Sequence, residues 1–158
     1  MKYKLTEENI IINGKTLFRI ESLSDFSNVK IGDKGGFIEK KENLSVYGNA
    51  WVYGNAWVSD NARVYDNAWA YGSARVSDNA CVSGNARVSG AFNVIFIDFL
   101  SDYSITITDN HIKISCQQHK IKEWQEFDDD EIKKMNENAL EWWKKHKKFI
   151  FDAIELRK

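Results

Sequence analysis

A six-residue phrase recurs almost without interruption from Val46 to Gly90. Aligned on its aliphatic position, it runs alanine, a variable residue, valine, Tyr or Ser, and then Gly-Asn or Asp-Asn, as in AWVYGN and ARVYDN. Alternation of small inward and variable outward positions is typical of a β-strand, and the Gly/Asp-Asn pair turns the chain. A short strand and a turn repeated every six residues predict a solenoid with a slender interior.

This repeat resembles the hexapeptide-repeat proteins, in which three hexapeptides form one 18-residue coil of a left-handed parallel β-helix. The resemblance covers roughly Ile38 to Val94. The expected fold class is therefore mainly β: a left-handed parallel β-helix of about three coils, flanked by β-hairpins and a C-terminal helical segment. We expect Ile38 and Leu44 to take the alanine position early in the helix and Phe92 to take it late, which would close the two ends.

Residues 18 positions apart should be neighbours on the outside of such a helix, about 4.8 Å apart. The predicted ladders are Trp51–Trp69–Arg87, Tyr53–Tyr71–Ser89, Trp57–Arg75–Asn93, Arg63–Cys81 and Tyr47–Tyr65. Contiguous exposed aromatic side chains with interleaved arginine are typical of binding surfaces, although the same ladders could instead join subunits. The candidate binding residues are Trp51, Tyr53, Trp57, Arg63, Trp69, Tyr71, Arg75 and Arg87.

Two hairpins are predicted outside the repeat. Asn13-Gly14 lies between two apolar segments, which is a strong signal for a two-residue turn. A turn at Asp109-Asn110 would pair Ile107 with Ile112, Ile105 with Ile114, Tyr103 with Cys116, Thr108 with His111 and Thr106 with Lys113. The expected units are an N-terminal hairpin and cap (1–37), the repeat (38–100), a C-terminal hairpin and connector (101–127) and a helix or helix pair (128–158).

The last unit has apolar residues at helical spacing, after an acidic start that favours the positive end of a helix dipole. Asn136 to Asn138 are a candidate break between two helices. We expect the apolar face to pack against the repeat or against a neighbouring subunit. Trp142, Trp143, Phe149 and Ile150 are the candidate oligomerisation residues. The resemblance implies a trimer, and a dimer through the helices is the second possibility.

Catalytic chemistry has little support in this sequence. Hexapeptide-repeat proteins are mostly CoA-dependent acyltransferases with a histidine base, and a related group holds zinc on coil histidines. The three histidines here, His111, His119 and His146, all follow the repeat. An acyltransferase with His111 or His119 as base is the alternative function. Cys116 with His119 is half of a zinc site, but the predicted hairpin directs Cys116 to the apolar face, away from His111. We therefore expect a buried cysteine, no metal, no cofactor and no catalytic residue.

The rest of the chain resembles hexapeptide-repeat proteins carried by phages and prophages. The segments that carry this resemblance are TLFRI, GDKGGFIE, CQQH, FDDDEI and ALEWWKKH. That resemblance implies a non-enzymatic accessory protein that counters host defence by binding a defence protein or sequestering a nucleotide-like signal. A net charge of −1 gives no reason to expect extended nucleic acid as a partner. Two distant cysteines and the absence of any long apolar run predict a soluble protein in the (host) cytoplasm that does not enter membranes.

Overall fold

A computed structural model describes residues 1–90, 94–98 and 103–156. The predicted positions of Phe92 and Asn93 lie outside the described residues. The strands before and within the repeat are β1 (Tyr3–Ile12), β2 (Lys15–Ser22), β3 (Lys34–Ile38), β4 (Trp51–Val52), β5 (Trp57–Val58), β6 (Arg63–Val64), β7 (Trp69–Ala70), β8 (Arg75–Val76), β9 (Cys81–Val82) and β10 (Arg87–Val88). The strands after it are β11 (Ile95–Asp98), β12 (Ser104–Ile107), β13 (His111–Ile114) and β14 (Gln117–Lys120).

The short strands of the repeat stack in parallel at the predicted spacing of 18 residues. Trp51 pairs with Trp69 and Trp69 with Arg87, so β4, β7 and β10 form one sheet. β5 pairs with β8 and β6 with β9 in two further sheets. From Ala50 to Val88, the alanines and valines at the inward positions of the repeat are at most 1% exposed, because only small side chains fit between the sheets. The prediction of a β-solenoid is confirmed.

The first turn of the solenoid departs from the predicted register. Ile38 pairs with Val58 and Leu44 bridges to Val64, an offset of 20 residues rather than 18. Both residues therefore occupy valine positions, and the prediction that they take alanine positions was wrong. A short 3₁₀ helix, Lys41–Asn43, stands at this corner in place of a Gly/Asp-Asn pair and accommodates the longer path.

The N-terminal hairpin forms as predicted and extends one of the solenoid sheets. β1 and β2 pair around Asn13 and Gly14, both at positive φ. β2 pairs antiparallel with β3, and β3 pairs parallel with β5, so that the hairpin continues the sheet of β5 and β8.

Hydrogen bonds between the turns of the solenoid have a preferred direction, because the N–H groups at the strand ends and corners donate to carbonyls one turn further along the chain. The Trp51 N–H donates to the Ala68 oxygen at 3.1 Å, and the same pattern repeats through the coils. Carbonyl oxygens are therefore left over at the N-terminal end. The Lys2 ammonium donates to the oxygens of Ala50 (2.6 Å) and Gly48 (3.1 Å), and the Tyr3 hydroxyl donates to the Leu44 oxygen (2.7 Å). Donor side chains thus close this end.

The opposite end presents N–H groups, and acceptor side chains of the C-terminal sheet receive them. The Thr106 hydroxyl accepts from the Cys81 N–H (3.2 Å), and the Asp109 carboxylate accepts from the Ser89 N–H (3.1 Å). This antiparallel sheet has the order β11-β12-β13-β14. Its central register pairs Ile105 with Ile114, Thr106 with Lys113 and Ile107 with Ile112, as predicted. β14 was missed, because its polar sequence QQHK carries no alternation of apolar residues.

Three helices cover the outer face of that sheet: α1 (Ile121–Glu126), α2 (Asp129–Met135) and α3 (Ala139–Glu155). The break between α2 and α3 falls at the predicted asparagines, whereas α1 lies in the segment expected to be a connector. Trp124, Ile132 and Ile154 pack with the isoleucines of β12 and β13 into a second core. No helix in the described part of the chain is long and apolar enough to cross a membrane.

Two corner glycines allow a matched test of the solenoid's packing. Gly48 and Gly54 both have positive φ, so alanine costs about 1–2 kcal/mol of backbone strain at either position. A Cβ on Gly48 would lie 2.3 Å from the Asp66 oxygen, whereas a Cβ on Gly54 would meet nothing closer than 3.6 Å. We expect Gly48→Ala to lower the free energy of unfolding in urea by about 1–3 kcal/mol more than Gly54→Ala. Equal losses would contradict the observed stacking of the corners.

The Lys2 cap should make stability depend on pH. Burial lowers the pKa of Lys2 from 10.5 to about 8. Between these values the unfolded chain holds more protons on Lys2 than the folded chain does, so this side chain makes folding more favourable as pH rises. From pH 7.5 to 9.5, we expect the unfolding free energy of the wild type to rise relative to Lys2→Met by on the order of 1 kcal/mol. Parallel urea titrations check this, and two pH profiles with a constant offset would refute it.

Candidate functional site

The first predicted binding residue, Trp51, lies inside the protein. It is 1% exposed and is covered by the edges of Tyr3 and Phe26, with ring centroids 6.4 and 5.3 Å away. The N-terminal hairpin and the loop after it therefore enclose the first rung of the tryptophan ladder. The prediction that Trp51 takes part in a binding surface was wrong, because the repeat pattern alone does not show what the hairpin covers.

The next rungs of this ladder remain accessible and form what we term the aromatic face: Tyr53, Trp69, Tyr71 and Arg87. Trp69 is half-buried, and the guanidinium carbon of Arg87 lies 4.9 Å from the centre of its ring. Tyr53 is 55% exposed. A guanidinium over an indole favours a fixed, planar, cationic surface. Four of the eight predicted binding residues therefore share one face.

The other predicted binding residues lie on the two remaining sheets. Trp57 pairs with Phe37 on one side and Arg75 on the other, and Arg19 lies 4.2 Å above the Phe37 ring. Arg63 is exposed on the third sheet, where it pairs with Cys81. The structure thus separates the eight candidates among three faces and does not gather them into one site.

A cleft opens where the third sheet meets the C-terminal sheet. It has a volume of about 580 Å³. Its lining residues are Tyr65, Asp66, Ser83, Gly84, Asn85, His111, Lys113, Cys116, Gln118, His119, Lys120 and Glu123. Sequence reasoning placed Lys113 on the polar side of the hairpin but did not show that this side faces Tyr65. The link between the two is a long-range contact, 48 residues apart in sequence.

The histidines and Cys116 do not converge on a common centre. Burial, together with the charge of Lys120, lowers the pKa of His111 below its ordinary value of 6.5, which favours the neutral ring. His119 lies edge-on to Trp124 (5.4 Å) and Phe127 (4.9 Å). Cys116 is exposed, so the expectation of a buried thiol was wrong; the chain turns after β13 before the residue can pair. Within the ranges the structure describes, no three His, Cys, Asp or Glu side chains are grouped to hold a metal ion.

The candidate oligomerisation residues fall into a buried pair and an accessible pair. Trp143 is 4% exposed and Ile150 is fully buried, both in the second core. Their assignment to a subunit interface was wrong, because α3 turns this side toward the C-terminal sheet. Trp142 is half-buried and stacks on His146 at 4.5 Å. Phe149 is 51% exposed on α3.

Because Trp51 is buried and Trp69 is only partly buried, we expect their alanine variants to lose different amounts of stability. Trp51→Ala should lower the free energy of unfolding by about 3–5 kcal/mol, because it leaves a cavity under the hairpin. Trp69→Ala should cost less, about 1–3 kcal/mol, since the Trp69 side chain is only partly buried. Chemical denaturation followed by circular dichroism measures both. A larger loss for Trp69→Ala would show that the hairpin does not cover Trp51.

Comparison with known proteins agrees with this geometry. Residues 46–60, 56–72 and 74–90 match the family model described as the YdcK beta solenoid repeat. No curated protein matches the chain. The matched segments coincide with the stacked strands β4 to β10, and the chain is therefore a β-solenoid repeat protein.

Proposed function

We propose that this chain is a non-enzymatic binding protein of the phage accessory type, which counters host defence by binding a defence protein or sequestering a nucleotide-like signal. The observation that carries the proposal is the aromatic face. Backbone pairing places Arg87 beside Trp69, whose ring packs partly against the solenoid core, while Tyr53 and Arg87 are exposed to solvent. A partner that covers this face gains stacking and apolar contact without ordering flexible groups first.

The finer assignments from the hexapeptide-repeat resemblance belong to the same proposal. The solenoid is left-handed with about three coils, and the protein is a homo-oligomer, a trimer first and a dimer second. Repeats that fall in turn on three sheets support the coil geometry. The exposed Phe149 on α3 supports a helical contact between subunits. The protein acts in the cytoplasm of the host cell.

A CoA-dependent acyltransferase is the second candidate, and one observation favours it. His111 lines an open cleft and has a lowered pKa, which favours the neutral form that a general base requires. Acetyl-CoA turnover against a panel of amines and sugars separates the two functions. Turnover that is abolished by His111→Ala would replace the binding proposal with the enzymatic one.

The binding proposal is tested by partner recovery from the natural host. The tagged protein and its variants are purified from host cells, and native mass spectrometry reports retained proteins, small molecules and the number of subunits. We expect Trp69→Ala and Arg87→Ala to lose the retained partner by tenfold or more while remaining folded. Arg75→Ala, which removes an arginine from another sheet, is the matched control and should retain it. Unchanged recovery by Trp69→Ala and Arg87→Ala would refute the role of the aromatic face.

A further inference from the structure

In the part of the chain that the structure describes, an ammonium group in the cleft between the solenoid and the C-terminal sheet is paired with hydroxyls and with no carboxylate. Lys113 reaches from β13 to the third solenoid sheet, where its Nζ donates to the Tyr65 hydroxyl and to the Ser83 Oγ at 3.3 Å. The same nitrogen lies 4.8 Å from the centre of the Tyr65 ring. Lys113 is half-buried. Among the described residues, no carboxylate forms an ion pair with it, so its charge is left for a ligand to neutralise.

The carboxylates that line the cleft are already engaged with backbone donors. Asp66 Oδ2 accepts from the Gly84 N–H at 3.1 Å, and Glu123 Oε2 accepts from the Lys120 N–H at 2.7 Å. Lys120 is exposed at the cleft, and the guanidinium carbon of Arg63 lies 5.9 Å from the Tyr65 ring. Two cationic side chains, Lys113 and Arg63, therefore lie near Tyr65 and a third, Lys120, lines the same cleft, while both acidic groups are partly satisfied.

The hydroxyl groups beside Lys113 determine which anion the cleft suits. The Tyr65 oxygen accepts from Lys113, so its own proton is directed elsewhere and is available to an acceptor. Ser83 donates its proton to Gln118 at 2.7 Å and is thereby fixed. An N⁺–H and an O–H beside each other match two oxygens of one phosphate group. The open cleft, with a volume of about 580 Å³, has room for a small organic ligand.

We propose that this cleft binds a phosphate monoester of mononucleotide size, with the phosphate on Lys113 and Tyr65 and the remainder of the molecule along the cleft toward Lys120. The inference deepens the proposed function, on which it rests for the nucleotide-like class of ligand, and places that ligand away from the aromatic face. Recognition is of the phosphate, so affinity falls as salt is raised.

Isothermal titration calorimetry on the full chain tests this proposal. The probes are a panel of 5′-mononucleotides, the corresponding nucleosides, ribose 5-phosphate, inorganic phosphate and citrate. We expect at least one mononucleotide to bind tenfold or more tightly than its nucleoside. Lys113→Met should weaken that binding by tenfold or more and Tyr65→Phe by a few-fold, while Lys113→Arg retains most of it. Lys148→Met, which removes an exposed lysine on α3, is the matched control and should have no effect.

Three outcomes would overturn the proposal: no phosphate-bearing probe binds, a nucleoside binds as tightly as its nucleotide, or Lys113→Met binds like the wild type while thermal melting shows both to be folded. Equal affinity for citrate would assign the cleft to carboxylates instead. Each of these results leaves the aromatic face untouched. If Trp69→Ala still abolishes the recovery of host partners, only the assignment of the cleft fails. If the cleft binds phosphate but no host partner is lost on Trp69→Ala, only the binding role of the aromatic face is refuted.

Discussion

The direction of the backbone hydrogen bonds is the constraint on which the rest of this structure depends. The strand ends and corners of each turn donate N–H groups forward, so at these positions one end of the solenoid is left with carbonyl oxygens and the other with N–H groups. Such exposed edges would pair with further chains if they were left open. The flanking units supply the complementary chemistry: Lys2 and Tyr3 donate at one end, and Thr106 and Asp109 accept at the other. The flanks are thus required by the repeat itself.

The repeat could be predicted from sequence because its information is local. The spacing of small residues sets which side chains enter the interior, and Asn, Asp and Gly at the corners set the turns. The hairpin register at Ile105 and Ile114 was predictable for the same reason, since one turn fixes the pairing. The 20-residue first turn was not, because a 3₁₀ helix replaces the usual corner there and no periodic signal marks it.

The candidate sites were only partly predictable, because burial and convergence depend on contacts distant in sequence. Trp51 and Trp69 occupy identical positions in the repeat, yet only Trp51 is covered by Tyr3 and Phe26. Helical spacing likewise grouped Trp143 with Phe149, although only one of them faces the second core. The pairing of Lys113 with Tyr65 needed the docking of the C-terminal sheet on the solenoid, which no periodic pattern encodes.

The matched chemistry of the two ends also bears on how such a chain changes length during evolution. An 18-residue duplication inserted between β4 and β10 would present the same backbone groups to either flank as the present chain does. Insertion of a whole number of 18-residue turns therefore preserves the contacts at both ends of the solenoid. Insertion of any other number of residues would rotate one flanking unit away from the backbone groups to which it hydrogen bonds.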